Sequence, residues 1–285
     1  MTIDDYLLYI DNRKLELLKK DNFHDYLKQK IFEGKIIIFK NLNPVLKIVK
    51  LTDQILKNEL NEKEINYLNN SADKINIEIF KDKFVRLQKL LKTNIDIKNL
   101  FYSLFILFDF DLNDTFSDLI CLRYASSKKN NIGSLKFTEA HRDTWASNFQ
   151  EQVNWWLPVN KTDYSNTIFL CPSLFKIPVK NNSCDWSFSK YIKNKSNYPS
   201  TPIVLEDIEN KKIIFKLNPG DLLCFSGSHI HGSNEGTSSR ISLETRTVCL
   251  KDSERFSIPK NIDGNYSIKH NNWFQKILNY SLKLP

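Results

Sequence analysis

The residues that could do chemistry lie in two stretches. The first is His141-Arg142-Asp143, and the second is Ser226-Gly227-Ser228-His229-Ile230-His231-Gly232-Ser233. Residues two apart in an extended segment project to one face, so His141 and Asp143 can reach a single metal ion. Two imidazoles and one carboxylate with open positions beside them suit a non-haem Fe(II) ion. His-x-Asp alone is a weak signal, equally well explained by two satisfied polar groups. His229 and His231 have the same parity, so spacing leaves open which one completes the set, and both could be local structural histidines.

An anion receptor follows at once. In Arg240-Ile241-Ser242-Leu243-Glu244-Thr245-Arg246 the alternation puts Arg240, Ser242, Glu244 and Arg246 on one strand face and Ile241, Leu243 and Thr245 on the other. Such a polar face is costly inside a barrel unless the interior holds something polar. Arg240 offers a planar fork for a carboxylate, with the Ser242 hydroxyl as a further donor. The competing reading is a face turned to solvent.

These stretches need strands to hold them, and after about Ser117 the sequence is strand-like. Segments Leu119–Ala125, Gln152–Val159, Thr167–Cys171, Ile213–Leu217, Asp221–Phe225 and Ile241–Leu250 are short and separated by turn residues. In Gln152–Val159, Gln152, Asn154 and Trp156 share one face, and Val153, Trp155 and Leu157 the other. Residues 126–133 read as a polar loop. Residues 173–209 read as an insertion that Trp186, Phe188 and Tyr191 would order as a lid. Before Ser117 the pattern is helical over Ile3–Phe32, Val45–Leu68, Phe80–Leu91 and Ile97–Phe108, interrupted by one buried strand at Lys35–Phe39. A last helix is expected around Asn272–Leu282. The expected architecture is α+β: one domain over 1–285, with a mainly helical part (1–116) packed on a double-sheet jelly roll (117–250), then a C-terminal extension (251–285).

Composition narrows the function classes. The chain has 285 residues, 41% hydrophobic and 26% charged, as in an ordinary globular protein. Five scattered cysteines without a C-x-x-C pair argue against a disulfide scaffold and structural zinc, and point to a reduced cytoplasm. The N-terminus has neither a basic nor an apolar signal region, and the longest apolar run, Leu100–Phe110, is too short for a bilayer. The net charge of +8 raises the question of nucleic acid, but the lysines are dispersed rather than gathered into a patch. No nucleic-acid or membrane partner is expected; a small-molecule substrate is, and an anionic one fits this charge.

His141-x-Asp143, Pro219-Gly220-Asp221, Ile230-His231-Gly232-Ser233 and Arg240-x-Ser242 together resemble the Fe(II)/2-oxoglutarate dioxygenases of the phytanoyl-CoA dioxygenase-like family, over roughly Arg123–Val248. The resemblance implies a double-stranded β-helix (jelly-roll, cupin-like) core. It implies His141, Asp143 and His231 as iron ligands, the Ile-His-Gly-Ser pattern favouring His231 over His229. It implies Arg240 on the distal carboxylate of 2-oxoglutarate, supported by Ser242 and Ser233, with Trp156 lining that pocket and Asn154 donating to the cosubstrate. The reaction would use O2 and hydroxylate or desaturate a C–H bond, releasing succinate and CO2. Related halogenases lack the carboxylate that Asp143 supplies here. Arg123, Arg142, Trp145, Glu244 and Arg246 are expected on the substrate side, with Tyr124 and the insertion closing over the site. The sequence departs from the family after the central strand, where only Asn166-Thr167 and Cys171-Pro172-Ser173 stand for its usual Asn-Gly…Pro-Gly-Ser-His motif. An inactive jelly-roll binding module, or a cupin-like metal enzyme not using 2-oxoglutarate, is the alternative.

Overall fold

The run Ile36-Ile37-Ile38-Phe39 is β-branched, short and buried at every position, which suits a strand covered on both faces. In the computed structural model it is the second strand of the larger of two sheets, between the edge strand and the next. The structure describes residues 3–19, 22–70, 75–125, 138–194, 198–234, 239–265 and 273–277. In chain order the elements are β1 (Leu7–Ile10), α1 (Asn12–Leu18), α2 (Phe23–Phe32), β2 (Ile36–Phe39), α3 (Asn43–Glu59), α4 (Glu62–Asn70), α5 (Ile77–Thr93) and α6 (Ile95–Leu107). They continue as β3 (Thr115–Ser117), β4 (Cys121–Ala125), α7 (Thr144–Ser147), β5 (Val153–Pro158), β6 (Ile168–Leu170) and α8 (Phe188–Lys193). The rest are β7 (Ile213–Ile214), β8 (Leu222–Ser226), β9 (His231–Ser233), β10 (Arg240–Cys249), α9 (Asp252–Arg255) and β11 (Gln275–Lys276).

The larger sheet runs β1-β2-β8-β5-β10-β3-β11, with β4 also paired to β10, and the smaller runs β7-β6-β9. Between β1 and β2 the pairing is parallel; the other strand pairs described are antiparallel. The protein is thus a mixed α/β structure built on a large antiparallel sheet with helices packed against it.

Alternation along the strands separates the two faces of that sheet. Val153, Trp155 and Leu157 of β5 and Ile241 and Leu243 of β10 face the helices, where they join Phe84, Leu87, Phe101, Phe105 and Phe108 in one apolar cluster. Trp155 carries much of this contact, its ring stacked on Phe108 with centroids 5.6 Å apart. Asparagine caps start two of these helices: Asn76 accepts from the amides of Glu78 and Ile79 at the head of α5, and Asn94 from Ile97 at the head of α6. On the opposite face Trp156, Leu223 and Phe225 meet Ile168 and Leu170 of the smaller sheet, so the two sheets pack over a second apolar layer.

Two expectations fail here. Leu7–Ile10 was expected within a helix but is a strand in register with β2, Leu7 opposite Ile36 and Ile10 opposite Phe39. Ile10 is fully buried there, a packing that a neighbouring strand supplies and an isolated helix turn does not. In the expected C-terminal helix, Gln275–Lys276 instead pairs with Phe116–Ser117 of β3; the rest of that helix from Leu278, and Asn272, lie outside the described residues. The loop expected at 126–133 also lies outside them. The insertion after Ser173 is ordered where described: Trp186 is buried and its indole donates to the Pro199 carbonyl at 2.9 Å.

Candidate metal centre

The three ligand residues are brought together by one bridge and one turn. His141 and His231 form an isolated antiparallel bridge, each amide donating to the other's carbonyl at 3.0 Å. Their rings stand side by side, centroids 4.3 Å apart. The segment is not extended through Asp143, as the two-residue spacing suggested. Asp143 has helical dihedrals and heads α7, and its carboxylate comes back over the imidazoles. His141 Nε2 lies 3.4 Å from Asp143 Oδ1, and His231 Nε2 3.7 Å from Asp143 Oδ2. All three residues are buried, and their ligand atoms lie within 4.8 Å of one another.

Each ligand is oriented from behind. His141 Nδ1 sits 2.7 Å from the Glu139 carbonyl, and His231 Nδ1 3.1 Å from the His229 carbonyl. A carbonyl only accepts, so both imidazoles carry their proton on Nδ1 and turn the Nε2 lone pair inward, the form that binds a metal. Burial first, and the neighbouring His141 second, push the His231 pKa down to about 4, which keeps that ring neutral at physiological pH. Asp143 Oδ2 accepts from Asn154 Nδ2 at 2.6 Å and pairs with Arg246 Nε at 3.2 Å. Burial works to raise the Asp143 pKa. The Arg246 charge, first among the opposing causes, outweighs it and holds the carboxyl well below its ordinary range. An imidazole pair beside a carboxylate is a donor set that fits a divalent transition metal.

His229 is not part of this set, although its parity matches. It lies in the turn before β9, where its ring packs on Phe175 with centroids 4.4 Å apart and Nε2 lies 3.2 Å from the Gly34 carbonyl. Burial pushes its pKa down to about 3.

Beside the triad is a pocket of about 620 Å³ counted to its open mouth, walled by both sheets. Arg240 enters it from β10, 5% exposed. Its guanidinium carbon stands 5.5 Å from the Trp156 ring, Nη2 donates to Ser233 Oγ at 3.0 Å and Nη1 to the Asn166 carbonyl at 3.5 Å. Nε has no partner, and among the described residues no carboxylate pairs with this cation. The Ser242 hydroxyl is also buried and without a partner. Burial lowers the Arg240 pKa to about 10, against the opposing pull of the Glu244 charge and with the Arg123 charge adding to the shift.

Of the residues expected on the cosubstrate wall, Arg240, Trp156 and Ser233 line the pocket, while Ser242, buried in β10, is not among its lining residues. Asn154 lines it too, but both ends of its amide are engaged: Nδ2 on Asp143, and Oδ1 accepting from Gln152 Nε2 at 2.8 Å. Its amide therefore holds the Asp143 carboxylate in place. Of the expected substrate residues, Arg123 and Glu244 are at the pocket and joined to each other at 2.7 Å. Arg246 is there as well, but tied to Asp143 and, through Nη1, to Asp118 at 3.0 Å. Arg142 and Trp145 point away from the pocket: both are buried, and both donate to Asp263, at 3.1 and 2.7 Å. Asp118, Gln152 and Asp263 carried no motif. Their roles come from strand adjacency and a distant loop, which spacing along the chain does not encode.

Sequence comparison with protein families and with curated proteins finds no match. Among solved structures, EvdO2 from Micromonospora carbonacea var. aurantiaca aligns over 93% of this chain and 96% of its own, at 11% identity and TM-score 0.46. The same protein complexed with 2-oxoglutarate aligns over 85% and 91%, at 11% identity and TM-score 0.45. The epimerase SnoN in complex with Fe3+, alpha ketoglutarate and nogalamycin RO aligns over 82% and 84%, at 11% identity and TM-score 0.43.

Proposed function

We propose that this protein is an Fe(II)- and 2-oxoglutarate-dependent dioxygenase of the phytanoyl-CoA dioxygenase-like kind, on a double-stranded β-helix core, that hydroxylates an unactivated C–H bond of a small metabolite. The observation that carries the reading is Arg240. A buried guanidinium without a carboxylate is expensive, and it shares one pocket with two histidines and an aspartate poised for a metal. A short dicarboxylate with a 2-keto group answers both needs, its keto acid end on the metal and its far carboxylate on Arg240.

Iron(II) held by His141, Asp143 and His231 would supply an O2-dependent oxidation coupled to decarboxylation of 2-oxoglutarate to succinate and CO2. The chain's own residues do the rest. Ser233 and the Trp156 ring hold the Arg240 fork at the end of the pocket. Asn154 and Arg246 fix Asp143 in its place, the position a halide would need, which favours hydroxylation over halogenation. The substrate lies against Arg123 and Glu244, which line the pocket and are joined to each other through Arg123 Nε at 2.7 Å.

Succinate formation tests this. The Fe(II)-loaded chain supplied with 2-oxoglutarate and an extract of small metabolites is expected to form succinate, and Arg240→Ala to form little or none. Equal succinate from both proteins, or none from the wild-type chain, would sink the assignment.

A further inference from the structure

We propose that Asp263, in the segment after the last helix, is a positioning residue for the metal centre that acts through the Arg142 guanidinium; this rests on reading His141, Asp143 and His231 as metal ligands. Arg142 stands between two of those ligands in sequence, and its side chain is 2% exposed. It makes no contact with the pocket. Its N–H groups donate to the carbonyls of Leu174 and Ile177, both at 2.9 Å, and to the carbonyl of Ser228. Ser228 lies in the turn that leads into His231. One guanidinium therefore braces both ligand-bearing segments, the turn carrying His141 and Asp143 and the approach to β9.

That buried cation has one carboxylate partner among the described residues. Asp263 Oδ2 accepts from Arg142 Nε at 3.1 Å and from the Val179 amide at 3.1 Å, while Oδ1 accepts from Trp145 Nε1 at 2.7 Å. Trp145 is in α7, two residues past Asp143. The loop that presents Asp263 is itself fixed. Asn261 closes it on both backbone groups of Gly264, at 2.7 and 2.9 Å, and the Asn265 amide donates to Ser183 Oγ at 2.8 Å. Without the Asp263 charge, Arg142 is left buried and uncompensated, and a buried cation in that state moves toward water or loosens its surroundings. Either movement displaces the residues on both sides of it, and those are ligands. Groups that orient metal ligands from behind change metal affinity by roughly 10–100-fold when altered.

The test uses the full chain with Co(II) as probe, reading affinity by calorimetry and ligand geometry by the visible Co(II) spectrum. Asp263→Asn keeps the shape and removes the charge; it is expected to bind Co(II) at least about 10-fold more weakly, with an altered spectrum. Trp145→Phe, which removes one donor to Asp263 and keeps the ring, covers the case in which Asp263→Asn fails to fold; a several-fold loss is expected. Tyr198→Phe removes hydrogen bonds within the insertion, to Ser187 and Asp185, away from Arg142 and Asp263, and is expected to leave affinity and spectrum unchanged. Wild-type affinity and spectrum in the Asp263 and Trp145 variants would overturn the proposal, as would an equal loss in Tyr198→Phe. A wild-type chain that binds no Co(II) would overturn the metal reading, and this proposal with it.

Discussion

Asp143 presents its two oxygens unequally. Oδ2 is taken by Asn154 and Arg246, while Oδ1 lies 3.4 Å from the inward-facing His141 Nε2. This asymmetry predisposes the carboxylate to bind a metal through one oxygen and leaves open positions beside it. Asn154→Ala removes the shorter of the two restraints from a residue buried in the pocket wall. We expect metal affinity to fall by about 10–100-fold, read by Co(II) calorimetry, with little change in melting temperature. Residue types and order brought His141, Asp143 and Arg240 forward before any fold was known, but spacing left His229 and His231 open and only the family resemblance favoured the one that clusters with His141 and Asp143. The surrounding polar residues were not legible in the same way. An arginine beside a ligand looks like a substrate contact in sequence, yet Arg142 is a buried brace, because which way its side chain turns depends on Asp263 far along the chain.

At the scale of elements, β5 divides two jobs between adjacent tryptophans. Trp155 anchors the helical layer and donates its indole N–H to Thr247 Oγ1 at 2.9 Å, while Trp156 carries Arg240. Replacing Trp155 by Ala is expected to cost about 3–5 kcal/mol in chemical denaturation, since it opens a cavity among Phe105, Phe108 and Phe110. Gly34 is a second sensitive point. It has φ of 97°, and a Cβ there would come 2.5 Å from the Phe175 ring, beside His229. Gly34→Ala is expected to destabilise by roughly 1–3 kcal/mol through backbone strain and displacement of Phe175. Strand alternation made the two faces of β5 and β10 readable, because burial on both sides fixes register. The strand β1 was misread because Tyr6, Leu7 and Ile10 satisfy a helical spacing as short strands often do. Only the partner strand β2 decides between them.

Taken as a whole molecule, the net charge of +8 is not concentrated at the pocket. Arg123 and Arg246 are matched there by Glu244, Asp118 and Asp143, while among the described residues no carboxylate pairs with Arg240. Among the described residues, no helix is long and apolar enough to cross a membrane. Acid sensitivity follows from the buried imidazoles. His229 and His231 have folded pKa values of about 3 and about 4, below the 6.5 of an unfolded histidine. Below about pH 6.5 the unfolded chain takes up protons that the folded chain refuses, so this stability is full above that pH and declines as pH falls toward 4. Melting of the metal-free protein is expected to drop across that window, and His229→Phe, which removes one of the two groups, to flatten the drop. Added Fe(II) or Co(II) at neutral pH is expected to raise the melting temperature, because it binds the folded state alone.

The most direct test of the central claim is an anaerobic calorimetric titration of 2-oxoglutarate into the Fe(II)-loaded chain, compared with Arg240→Ala. The wild-type protein is expected to bind one equivalent. The variant should still hold Fe(II) but bind 2-oxoglutarate about 100-fold more weakly, the loss expected for a desolvated, charge-assisted contact of roughly 3 kcal/mol. Equal affinity in the two proteins, or binding that survives removal of the metal, would contradict the account.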